Sequence, residues 1–199
     1  MKKIKFLFDL GNVFFNWNPR HFYKKIFKDV NEMEYFLNNI CNDIWNNEQD
    51  AGRLIKEAEI NLISKFPNYK KEIKLYYPNH RKMIKNLYNS SVEVLDFLLK
   101  KNYECYVLSN WSAETFVGMK EEYPFLNKFN GLIISGEEKL CKPDKKIYEL
   151  AIKRFNLNPK KTIFIDDKHE NIIAAKYLDF QTIHLKDPYI IKEMINEKL

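Results

Sequence analysis

Five positions carry side chains that can do chemistry together: Asp9, Ser109, Lys142 and the adjacent pair Asp166-Asp167. Three carboxylates brought to one place offer the oxygen ligands that a hard divalent cation such as Mg²⁺ takes. Without a cation or a lysine they repel one another and raise each other's pKa. Ser109, with the backbone N–H of Asn110, can donate to phosphate oxygens. Lys142 can neutralise the same phosphate while holding a carboxylate ionised. An aspartate can also act as a nucleophile and pass through an aspartyl-phosphate. Such a site needs a frame that gathers residues lying far apart in the chain.

The order of elements supplies that frame. Lys5-Phe6-Leu7-Phe8 is apolar apart from its lysine and suits a strand buried on both faces, stopping at Asp9 before a Gly11-Asn12 turn. Residues 103–108 predict a strand that ends at Ser109-Asn110, and 132–134 one that ends at Ser135-Gly136. Residues 162–165 predict one ending at Asp166-Asp167, and 181–185 a last one. Helices are expected between them. One follows a Ser90-Ser91-Val92-Glu93 capping box, one runs from Ser112 to Pro124, and one from Lys142-Pro143-Asp144 through Phe155 with proline in its first turn. Two more are expected over about 170–178 and after Pro188. This alternation predicts an α/β domain with a mostly parallel sheet covered on both faces. In a parallel sheet all strand ends share one edge, where open α/β folds bind ligands.

Residues 17–89 break the alternation. Apolar side chains recur at helical spacing through Phe22, Ile26 and Phe27, then Met33, Phe36, Leu37 and Ile40, then Leu54, Ala58, Leu62 and Phe66. No strand is expected from Pro19 to Asn89, and Gln49-Asp50-Ala51-Gly52-Arg53 reads as a helix start. The stretch is too long for one crossover and reads as a helical insert over the end of the first strand. The domain boundaries expected are 1–16 with 90–199 for the core and 17–89 for the insert. Arg20 and Arg53 are the candidates for reaching substrate from it, because arginine is scarce here and suits anionic or hydroxylated ligands.

The motifs, in order, resemble those of the haloacid dehalogenase superfamily along essentially the whole chain. Phe8-Asp9-Leu10-Gly11-Asn12-Val13 resembles its first motif, Leu108-Ser109-Asn110 its second, Lys142-Pro143 its third and Phe164-Ile165-Asp166-Asp167 its fourth. The resemblance implies a Rossmann-like core with an inserted α-helical cap of subclass I. Asn16-Trp17-Asn18-Pro19-Arg20 and the residues after Ser109 are similar to a bacterial branch that includes glucose-1-phosphate phosphatase-like proteins. It also implies roles: Asp9 as nucleophile, Ser109, Asn110 and Lys142 on the phosphate, and Mg²⁺ held by Asp9, Asp166, Asp167 and the carbonyl of Gly11. One departure stands out. Most phosphatases of the superfamily carry a general acid–base aspartate two residues after the nucleophile, and here that position is Gly11.

Composition excludes several classes. The 199 residues carry 33 basic and 27 acidic side chains for a net charge of +6, but the excess is scattered lysine with four arginines rather than a basic stripe, so no nucleic-acid partner is expected. No apolar run is long enough to span a membrane, no secretory signal is expected, and a cytoplasmic setting is. Cys41, Cys105 and Cys141 form no metal spacing and read as free thiols. The four histidines, His21, His80, His169 and His184, form no ligand spacing and read as core or surface residues. Trp17, Trp45 and Trp111 read as packing residues, although Trp17 and Trp111 adjoin motifs. The leading expectation is a Mg²⁺-dependent phosphatase of a small phosphorylated metabolite, with a sugar phosphate as one candidate. Two others stay open: a dehalogenase-like hydrolase, whose halide leaves without an acid, and a non-catalytic binding protein that keeps the fold. The substrate and the oligomeric state are not legible.

Overall fold

A computed structural model describes residues 3–199. Its described residues form seven strands: β1 (Lys5–Phe8), β2 (Phe15–Trp17), β3 (Ile84–Leu87), β4 (Glu104–Ser109), β5 (Gly131–Ile134), β6 (Thr162–Asp166) and β7 (Gln181–His184). Five of them make a parallel sheet in the order β5-β4-β1-β6-β7, with Phe8 of β1 level with Val107 of β4 and Ile165 of β6. The first strand is therefore central, as its unbroken apolar run requires. Side chains alternate across it. Phe6 and Phe8 enter one core with Phe14, Phe125, Phe129 and Leu98, and Leu7 enters the other with Leu108, Ile147, Tyr148 and Phe164. The sheet is thus covered on both faces, and the α/β, Rossmann-like architecture expected from the sequence is the one observed.

The helical segment has a core of its own. Tyr23, Phe36, Ile40, Trp45, Ala58, Ile73 and Tyr76 pack together without any residue of the parallel sheet. Two chain crossings join the segment to the sheet domain, and they are paired: β2 and β3 are antiparallel, with Phe15 opposite Leu87 and Trp17 opposite Ile84. The segment is also tied across. The Arg81 guanidinium donates to the carbonyls of Thr115 (2.6 Å) and Val117 (2.7 Å) and to Glu122 (2.9 Å), and the Ile55 N–H donates to Glu114 (2.8 Å).

Several local expectations are corrected. The segment is not helical to its end: residues 84–87 form β3, a strand of Ile-Lys-Asn-Leu with no apolar alternation to announce it. The helix Asn89–Lys100 has no side-chain cap, because the Ser90 hydroxyl donates to Pro188 (2.9 Å) and that of Ser91 to Val13 (2.6 Å). The helix after Ser112 breaks into Ala113–Phe116 and Met119–Glu122 at Gly118, whose φ of 79° is left-handed. The helix Lys145–Arg154 begins after Asp144, whose carboxylate caps it by accepting from the Lys146 N–H (2.9 Å), so Pro143 lies just outside. Gln49-Asp50 closes a helix, Asp43–Asp50, instead of opening one, and Gly52 with φ 95° carries the chain away.

Phe8 has no exposed surface and packs its ring edge-on against Phe14 (5.5 Å) and Phe129 (6.1 Å). Phe8→Ala is expected to cost about 3–5 kcal/mol of unfolding free energy. Equilibrium urea denaturation measures it, and a cost below about 1 kcal/mol would contradict this packing.

Candidate active site

The site lies where β1, β4 and β6 end together. Asp9 follows β1, and its N–H still pairs with the carbonyl of Ile165 (2.9 Å), so the carboxylate is held against β6. The chain then turns at once: the carbonyl of Leu10 accepts from the N–H groups of Phe14 (2.9 Å) and Phe15 (3.0 Å), and Asn12 adopts a left-handed φ of 52°. Asp166 is the last residue of β6 and Asp167 begins the loop, which lets two adjacent side chains serve one site.

Lys142 sits between the carboxylates. Its Nζ is 2.9 Å from Asp9 Oδ1 and 2.7 Å from Asp166 Oδ2, and the lysine is 4% exposed. Burial opposes its charge, but Asp166 and Asp9 outweigh burial and raise its pKa, so it stays an ammonium. Asn110 fixes the lysine from behind: its amide donates to the carbonyl of Lys142 and accepts from its N–H, both at 2.9 Å. Asp166 is fully buried and accepts from Lys142, from the Lys168 N–H (2.8 Å) and from Asn171 (3.0 and 3.1 Å). Burial and Asp9 push its pKa up, and Lys142 and these donors pull it back.

Asp9, Asp166 and Asp167 each place a carboxylate oxygen within 4.8 Å of the others. Three carboxylates against one ammonium leave a local excess of two negative charges, which burial makes costly. Asp167 registers it: burial, then the charges of Asp9 and Asp166, push its pKa up to about 7, against one neutral donor, Asn12 (3.2 Å). A hard divalent cation with oxygen ligands fits this donor set and its charge. Asp166 is already surrounded by donors, which leaves Asp9 and Asp167 as the freer ligands. The hydroxyl of Ser109, at the end of β4, is buried without a hydrogen-bond partner among the described residues.

A cavity of about 460 Å³ opens over Asp9, Gly11, Lys142 and Asp167, and the helical segment supplies its far wall. Arg20 lines it, but its guanidinium is held by Glu34 (2.7 and 2.6 Å) and Asn38 (3.2 Å). Arg53 is not among the lining residues; it is bound to Glu48 and Gln49 of its own segment. The structure brings together the remaining candidates and adds some that sequence reasoning passed over. Asn12, Lys168 and Asn171 carry no chemical signal alone but hold Asp167 and Asp166. Trp17 and Trp111 are more than packing: both line the cavity, with the His80 ring between them at 5.7 and 5.5 Å. Asp50, which the sequence placed in a helix start, is buried in the same wall.

This arrangement defines a class: a Rossmann-like α/β hydrolase core with an aspartate, a lysine and an acidic cluster at one sheet edge. The sequence profile of haloacid dehalogenase-like hydrolases matches residues 6–179, and the chain belongs to that family. It is similar to the sesquiterpene phosphatase astK of Aspergillus oryzae, 26% identical over 91% of this chain and 89% of that protein. It is also similar to D-ribitol-5-phosphate phosphatase of Bacteroides thetaiotaomicron, 31% identical over 44% of this chain and 47% of that one. Among solved structures, a HAD family enzyme of Bacteroides thetaiotaomicron has a TM-score of 0.73 at 21% identity, over 98% of this chain and 99% of that one. The same enzyme crystallised with magnesium and inorganic phosphate has a TM-score of 0.67 at 21% identity, over 92% and 93%.

The charge excess has a thermodynamic signature. An acid whose pKa is raised on folding contributes its full stability below its usual value of 3.8 and loses it as pH rises through about 7. In chelator above pH 7, Asp167→Asn is therefore expected to melt higher than the wild type, with the gap closing toward pH 3.8. Mg²⁺ is expected to raise the wild-type Tm more than the variant's. Calorimetry with and without Mg²⁺ checks this, and a metal-free variant that melts lower above pH 7 would contradict it.

Proposed function

We propose that this chain is a Mg²⁺-dependent phosphatase of a small phosphorylated metabolite. One observation carries the reading: Asp9 points a carboxylate into the cavity beside an ammonium and two further carboxylates suited to a divalent cation. The similarity to two phosphatases with different substrates supports the reaction and leaves the organic part of the substrate open. A cavity of about 460 Å³ suits a small molecule such as a sugar phosphate.

In this reading Asp9, Asp166 and Asp167, with the carbonyl of Gly11, would hold Mg²⁺, which would offset the negative charge of phosphate against the carboxylates. Asp9 attacks phosphorus through its free oxygen, the bond to the leaving oxygen breaks, and the phosphoryl group passes to the aspartate. Lys142 balances the charge on Asp9 and on the transferring group. Ser109 and the N–H of Asn110 bind phosphoryl oxygens, which gives the buried Ser109 hydroxyl its partner. Water then attacks phosphorus and Asp9 is released. Residues 17–89 act as a cap that covers the substrate and excludes water. Arg20 faces the substrate from the cap, whereas Arg53 is set aside as a specificity residue because its partners are all within the cap.

Asp9→Asn is expected to lower hydrolysis of p-nitrophenyl phosphate by a factor on the order of 10³ or more, the scale of losing a nucleophile. Its circular dichroism is expected to match the wild type. Excess chelator should silence the wild type, and Mg²⁺ should restore it. Retention of more than a small fraction of activity by the variant, or full activity in chelator, would remove the proposal.

A further inference from the structure

Building on the phosphatase reading, we infer that Asp50, reaching into the cavity from the helical segment, is the general acid–base that the core lacks at Gly11. The carboxyl group lines the same cavity as Asp9 and Gly11 and is 8% exposed. It is clamped rather than loose. Asn46 Nδ2 donates to Asp50 Oδ2 (3.0 Å), and Asn46 is itself held by the Tyr77 hydroxyl (3.2 Å), which in turn accepts from Gln49 (2.6 Å). The backbone N–H of Ser112 lies near enough to favour the charged form of the carboxylate. The Ser135 hydroxyl donates to its backbone carbonyl (2.5 Å). A carboxyl group held by its own helix, whose backbone the core also grips, is placed as a leaving-group partner must be.

Its surroundings favour a transferable proton. Burial, first, pushes its pKa up to about 7; Asp9 across the cavity and Asp43 on its own helix add to this, and Lys168 opposes it. Cys141, Tyr76 and Tyr77 lie near enough to feel its charge, and Lys142 and His80 line the same cavity. Asp50 thus exchanges a proton near neutrality, where general acid–base catalysis works best. His80 does not compete: burial drives its pKa down to about 3, so it holds no imidazolium proton to give.

The proton accounting closes. As Asp9 forms its bond to phosphorus and the bond to the leaving oxygen breaks, protonated Asp50 gives its proton to that oxygen. In the second half, Asp50 carboxylate takes a proton from the water that attacks phosphorus, the bond from phosphorus to Asp9 breaks, and both groups return to their starting states. The core has room for the usual acid, since a Cβ added at Gly11 would meet nothing within 4 Å and its φ is not left-handed.

Leaving-group dependence tests the assignment. Asp50→Asn keeps an oxygen to accept from Asn46 and so keeps that contact. With Mg²⁺, its kcat/KM, which reports the steps through leaving-group departure, is expected to fall about 10²–10⁴-fold on the alkyl ester glycerol 3-phosphate, and under about tenfold on p-nitrophenyl phosphate, whose leaving group needs little protonation. The fall in wild-type kcat/KM as pH rises past about 7 should vanish in the variant. Gly11→Asp added to Asp50→Asn should restore alkyl-ester hydrolysis at least tenfold. Equal losses of kcat/KM on both esters, no loss on either, or an unchanged pH profile would overturn the assignment of Asp50 and leave the phosphatase reading intact. A wild-type chain that releases no p-nitrophenol, or an Asp9→Asn variant as active as wild type, would overturn both.

Discussion

A buried ammonium between two buried carboxylates is the constraint on which the site depends. Lys142 has no exposed side-chain surface, and neither does Asp166. Removing one partner of such a pair leaves a charge in a poor dielectric, at a typical cost of about 3–5 kcal/mol. The fold therefore has to deliver all three groups together. The strand order does so: β1 lies between β4 and β6, so Asp9 and Asp166 emerge side by side, and Asn110 at the end of β4 takes hold of the lysine's backbone. The ring of Phe164 lies beneath the ammonium at 5.5 Å and adds a soft electrostatic partner without water.

That arrangement is overloaded with negative charge on one side only. Asp166 is saturated by donors, while Asp167 has only Asn12 and the pressure of its neighbours. The asymmetry separates two roles for adjacent residues. Asp166 anchors the lysine and the following loop, and in the proposed reading Asp167 is the one left for a cation. Sites that must bind and release a charged ligand need such imbalance, because a fully paired cluster would gain nothing from it.

The sheet was legible because buried parallel strands announce themselves: Phe6-Leu7-Phe8 and Ile163-Phe164-Ile165 are apolar on both faces and stop at acids. The acidic cluster followed from those stops. What escaped was information held in partners distant along the chain. Ser90 and Ser91 look like caps, yet their hydroxyls serve Pro188 and Val13. Asn12 and Asn171 are ordinary turn and helix residues until the fold sets them against Asp167 and Asp166. Arg53 looked available because arginine is rare, but Glu48 and Gln49, one turn away, claim it. Asp50 was masked by Gly52, which reads equally as the beginning or the end of a helix and whose left-handed φ decides for the end.

The antiparallel pairing of β2 with β3 has a mechanical consequence. Two independent linkers would let the helical segment tumble, twist and slide over the sheet edge. Zipped side by side, Phe15–Trp17 and Ile84–Leu87 form one two-stranded ribbon that carries both chain crossings together. Registration between the two walls of the cavity is thus inherited from the pairing of two short strands, together with the ties from Arg81 and Ile55.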